Sequence, residues 1–187
     1  MIAEQGERPL PRLVLGLGKV LCSDDGVGVV AVEELRRCYE LPEGITALDG
    51  GTLGLALLPY LSEAKAAILL DAVASTAPAG SLVRLRGEDV GAVVAARLSV
   101  HQVGVGDLLS AAALLGGLPS ELVLLGVVPG TLTVGVELTP EVARAVPGLV
   151  REVVSEAGRL GFSLGPRSSS RPQSGRRLSQ IATTSST

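Results

Sequence analysis

The stretch LVLGLGKVLCSDDGVGVVAVEELRRC, residues 13–38, decides the fold. Its first part, LVLGLG (13–18), is a short apolar run closed by glycine, with the length and flanks of a buried strand. From about Gly26 to Tyr39 the apolar residues Val27, Val30, Ala31, Leu35 and Cys38 fall on one helical face, with Glu33, Glu34, Arg36 and Arg37 elsewhere. Between strand and helix lies a glycine-rich turn. Turns of this kind often cradle a phosphate on bare amides at a helix N-terminus. This one carries two adjacent carboxylates, Asp24 and Asp25, which would repel a pyrophosphate. Position 21 is Leu where G-x-G-x-x-G needs its third glycine, and no G-K-[ST] follows.

Working outward, ITALDGG (45–51) reads as a strand ending in Asp-Gly-Gly, LGLALLPYL (53–61) as a helix, and AAILLDAV (66–73) as an apolar strand ending at Asp71. GSLVRLRGEDV starts with strand-like alternation, residues 104–116 form a helix closed by glycine, and ELVLLGVVP (121–129) is a strand. Thr139-Pro140 opens a last helix towards residue 160, Thr139 as N-cap and Pro140 at its first position. Pro147 is expected to kink or split that helix. Strands that are apolar throughout and alternate with helices predict an α/β fold: three layers, α/β/α, with a mostly parallel central sheet flanked by helices. The expected organisation is a flexible leader over 1–11, one domain over 12–163, and a disordered, basic Ser/Arg/Thr-rich tail over 164–187.

Composition narrows the function. The chain has 187 residues, enough for one domain with a full core, and 47% of them are apolar. Aromatics are 2%, too few to stack nucleic-acid bases. Net charge is −3, but the last 24 residues hold Arg167, Arg171, Arg176 and Arg177 and no acid. The remainder, with 12 basic and 19 acidic residues, is at −7, which argues further against a nucleic-acid partner. No apolar run reaches the roughly 20 residues that span a bilayer, and the first residues lack a signal-peptide core, so a cytoplasmic setting is expected. Cys22 and Cys38 form no C-x-x-C pair; both read as core residues rather than as a nucleophile.

In an open parallel sheet, ligands bind beyond the carboxyl ends of the strands. Acids fall at three such ends: Asp24/Asp25 after the first strand, Asp49 after the second, Asp71 at the end of the third. Gathered carboxylates repel unless something compensates them, and a cation is the common solution. His101, the only histidine, precedes a helix in LSVHQVGVGDLL. Two carboxylates and an imidazole make an O,O,N set suited to Ni, Zn, Cu or Fe. Three protein ligands leave coordination open for substrate. Taken singly, Asp24 or Asp25 could equally be a helix N-cap.

The motifs GLGKVLCSDDGVG (16–28), LDGGT (48–52), LLDAV (69–73), SVHQVGVGDLL (99–109) and GVVPGTL with GVELTP (126–140) come in the order found in the [NiFe]-hydrogenase maturation endopeptidases, which the chain resembles over residues 12–161. The resemblance implies a cytoplasmic, monomeric α/β enzyme, an aspartyl-type endopeptidase. It would remove the C-terminal extension of a hydrogenase large-subunit precursor after nickel insertion, with the nickel, carried by the substrate, as recognition element. It places the metal-contacting and catalytic positions on Asp25, Asp71 and His101. Asp49 and Gly50 would position the substrate. The family usually has Asn where this chain has Lys19, a cation able to compete with the metal or pair with a carboxylate. That departure motivates an alternative, a non-catalytic nickel-binding or chaperone-like protein of the same fold. A small-ligand-binding Rossmann-like domain is a further rival.

Overall fold

A computed structural model of the chain describes residues 11–87, 89–91 and 105–167. Residues 1–10 of the expected leader, most of the expected tail and His101 lie outside the described residues.

Five strands form one sheet: β1 (Arg12–Leu17), β3 (Ile45–Gly51), β4 (Ala66–Ala72), β5 (Leu82–Arg86) and β6 (Glu121–Val127), in the order β3-β1-β4-β6-β5. All neighbouring pairs are parallel except β5, which runs antiparallel to β6 at the edge. Helices α1 (Val27–Cys38) and α4 (Pro140–Arg159) cover one face, and α2 (Leu58–Glu63) and α3 (Val105–Leu114) the other. This is the three-layer α/β/α architecture expected from the alternation.

The strand sequences explain why both faces are covered. Successive strand side chains point to opposite faces. Val14, Ile68, Leu70, Val123 and Leu125 pack with α1 and α4, while Leu13, Leu15, Leu17, Leu69 and Leu124 pack with α2 and α3. A strand apolar on every residue has no face to give to water. Burying each such side chain contributes about 1.5–3 kcal/mol. Edge strand β5 alternates instead, and its Arg84 and Arg86 reach Glu152 and Glu156 of α4.

Two expectations are corrected. α4 is not split at Pro147: one helix runs from Pro140 to Arg159. The missing N–H forfeits a single bond within the helix, and Pro147 is exposed while Val142, Val146, Leu149, Val150 and Val153 stay buried on either side of it. The ordered chain also runs past residue 163: Leu164 is buried, and Gly165–Pro166 (β7) pair antiparallel with Tyr39–Glu40 (β2). Among the described residues, no helix is long and apolar enough to cross a membrane.

The strand order reverses at β1. Its successor β3 lies on one side and β4 on the other, with α1 and α2 on opposite faces. In open α/β sheets such a reversal is where ligands bind, here beyond the carboxyl ends of β1 and β4.

Candidate functional site

At the end of β1 the chain turns sharply at Gly18, whose φ is 112°. A Cβ there would lie 1.7 Å from the Asp25 carbonyl oxygen, so only glycine lets the turn fold back on itself. The turn is closed by Cys22 N–H on Lys19 O (2.9 Å) and Asp25 N–H on Cys22 O (3.1 Å), then winds through a short 3-10 helix, Ser23–Gly26, into α1. Gly28, in the first turn of α1, lies against two strand ends at once. A Cβ on it would stand 2.5 Å from Leu17 O of β1 and 2.1 Å from Leu70 O of β4. The residue after Leu70 is Asp71. The glycines thus bring the turn that carries Asp25 down onto the strand end that carries Asp71. Both acids are buried, at 9% and 7% exposure.

The adjacent acids of the turn have different partners. Asp25 Oδ2 accepts the backbone N–H of Lys19 at 2.7 Å. Asp24 is fully buried and faces the loop after β6. Its Oδ2 accepts Gly130 N–H (2.8 Å) and Thr131 N–H (3.0 Å), and its Oδ1 accepts Thr139 N–H (2.7 Å). The Thr139 hydroxyl donates to the same carboxylate, 2.9 Å from Oδ2. Burial pushes the Asp24 carboxyl up, but the amides of Thr139, Thr131 and Gly130 and the Thr139 hydroxyl outweigh it and hold the group below its ordinary value. Neither acid is an N-cap: Gly26 holds that place on α1, with no side-chain bond.

The other expected positions fall as follows. Asp71 Oδ1 accepts the N–H of Ala72 at 2.8 Å. Asp49 lies inside β3, opposite Gly16 of β1, and is exposed at the same edge of the sheet. Gly50 is buried, and a Cβ there would press on Leu15, Leu57 and Leu17, so packing accounts for this glycine. Lys19 is exposed and makes no ion pair among the described residues; its backbone, not its ammonium, serves Asp25. Cys22 and Cys38 are half-buried rather than core, and Cys38 Sγ donates to Glu34 Oε1 at 3.2 Å. Asp25 and Asp71 supply hard oxygen donors at one edge, a set that favours a divalent cation. Among the described residues no third His, Cys, Asp or Glu completes a cluster with them, and His101 lies outside those residues.

Sequence reasoning missed the clamp. Gly135 N–H donates to Leu21 O (3.0 Å) and Ser23 N–H to Gly135 O (2.8 Å), so the 129–139 loop is bonded directly to the acidic turn. Ser23 takes a φ of 49° there, in the left-handed region that non-glycine residues seldom enter. The GVVPGTL and GVELTP motifs are the two ends of this loop.

The family model described as hydrogenase maturation protease matches residues 29–156. The chain belongs to the hydrogenase maturation protease family. It is 37% identical over 156 residues to the Hydrogenase 2 maturation protease of Escherichia coli, covering 83% of this chain and 95% of that protein. It is 41% identical over 159 residues to the hydrogenase expression/formation protein HupD of Rhodobacter capsulatus, covering 84% of this chain and 76% of the other. The solved structure of the hydrogenase maturating endopeptidase HYBD from E. coli superposes with a TM-score of 0.78 at 36% identity, over 84% of this chain and 98% of that one. Membership makes the chain a hydrolase of peptide bonds, on the α/β fold these relatives share.

Proposed function

We propose that the chain is an endopeptidase that removes the C-terminal extension of a [NiFe]-hydrogenase large-subunit precursor once nickel is in place. The observation that carries the reading is the seating of the Asp25 turn on the carboxyl ends of β1 and β4, next to Asp71, at the point where the strand order reverses. In the proposal Asp25, Asp71 and His101 contact the nickel that the precursor brings, so an unloaded precursor lacks its anchor and is not cut. Asp25 is oriented for this by the Lys19 amide, which fixes one of its oxygens. Asp49, exposed at the same edge, contacts the arriving polypeptide. The enzyme works as a cytoplasmic monomer.

The test is mass spectrometry of the precursor, nickel-loaded and nickel-free, after incubation with the protein. The expected result is loss of a C-terminal peptide from the loaded precursor alone. Asp25→Asn, Asp71→Asn and His101→Ala should each abolish it while leaving the thermal midpoint within a few degrees. Binding without cleavage would favour the chaperone-like alternative. Equal cleavage of both precursors would overturn nickel gating.

A further inference from the structure

We infer that Asp24 is a positioning residue, which holds the 129–139 loop against the acidic turn so that the loop can engage the polypeptide substrate. The inference rests on the proposed function. Asp24 cannot itself reach substrate: it has no exposed surface, and both its oxygens are taken by internal donors. What it does is pin a loop at both ends, Gly130 and Thr131 at the start and Thr139 at the close. The middle is pinned separately, by the Ser23 and Leu21 bonds to Gly135. Between the pins, Leu132, Val134 and Val136 stand 46%, 91% and 77% exposed.

Three large apolar side chains in one short loop are costly to leave in water, and such patches mark surfaces that meet a partner. They are not alone. Val20 and Leu21 of the acidic turn are exposed as well, and Leu21 is hydrogen-bonded to Gly135 in the centre of the loop. The patch therefore runs from the loop onto the turn that carries Asp25. The occupant is the chain being cut, since a peptidase must hold polypeptide beside its acidic residues, and this patch is continuous with theirs. Asp24 keeps the two halves of the patch in register. Thr139 adds a second effect: as N-cap of α4 it makes no side-chain cap bond, its N–H and hydroxyl both going to Asp24, so the same carboxylate fixes where α4 begins.

Asp24→Asn is the test. It keeps the volume but turns one acceptor into a donor facing donors. Steady-state processing of loaded precursor should show KM raised about tenfold with kcat changed less than about threefold, the pattern of lost uniform binding. Amide exchange should quicken over 130–138 and not in the central sheet. Thr139→Ser, which keeps the hydroxyl, should behave as wild type, and Thr139→Val should move KM in the same direction as Asp24→Asn. A folded Asp24→Asn protein with unchanged KM and unchanged loop exchange overturns the inference, as does a fall confined to kcat. If Asp24→Asn does not fold, the two Thr139 variants decide. If the wild-type protein cuts nothing, the proposed function fails, and precursor affinity replaces KM: equal affinity of wild type and Thr139→Val overturns the inference.

Discussion

Replacing Gly28 by Ala should damage stability and processing together. The added Cβ would sit 2.1 Å from Leu70 O and 2.5 Å from Leu17 O, where ordinary contact begins at 3.4 Å. Helix α1 must therefore retreat by roughly 1.3 Å, the difference between 3.4 and 2.1 Å. Neither obstacle can rotate away, because both are backbone carbonyls of central parallel strands held by their ladders. Overpacking of this kind costs about 1–3 kcal/mol. For a domain of this size that lowers the thermal midpoint by roughly 2–12 °C. Retreat also lifts the turn carrying Asp25 away from Asp71, and misplacement by ~1 Å costs on the order of a hundredfold in rate. Circular-dichroism melting and the precursor assay read the two effects. Gly158→Ala is the control. It lies in α4 with no atom within 4 Å of its added Cβ, and should gain up to about 1 kcal/mol. A Gly28→Ala protein that melts and processes like wild type would refute the seating of α1 on the two strand ends.

Two further outcomes follow from the same turn. Lys19→Asn should leave stability within about 0.5 kcal/mol and processing within a few-fold, because among the described residues only the Lys19 backbone is engaged; Lys19→Pro, which removes the N–H on Asp25, should lower processing sharply in the same assay. The Asp24 carboxyl is held below its ordinary value of 3.8 in the folded state, so its stabilising share is complete above that value and is lost as pH falls through the depressed one. Acid titration of the melting midpoint should accordingly show a smaller acid-side loss in Asp24→Asn than in wild type.

Residues 13–38 made the strand and the helix of the central unit legible because the signals for those two elements are local. The apolar run, the glycines and the helical stripe lie within a few turns of chain, and the structure keeps them where the sequence reading put them. The edge position of Asp71 was legible for the same reason, as the last polar step of an apolar strand. The separate roles of Asp24 and Asp25 were not. The partners of Asp24 are 106 to 115 residues away, and hydrogen bonds across that distance leave no periodicity to read. The helix is not split at Pro147: propensity counts the bond a proline loses and not the buried stripe that carries the helix past it. Residues 164–167 carried no signal of their own because a two-residue strand such as Gly165–Pro166 has no pattern, and its partner Tyr39–Glu40 is distant in sequence.

That small ribbon marks one pole of the described domain. β2 follows the last turn of α1, β7 follows the end of α4, and Arg12, which starts β1, stacks its guanidinium over Phe162 at 5.7 Å. Both ends of the described chain, Pro11 and Arg167, therefore leave from the amino-end pole of the sheet, while the acidic turn occupies the other. Strands of six or seven residues separate the poles by about 20 Å. The chain therefore enters and leaves the described domain at the pole away from the carboxylates, and a protein substrate meets the acidic turn at the opposite pole.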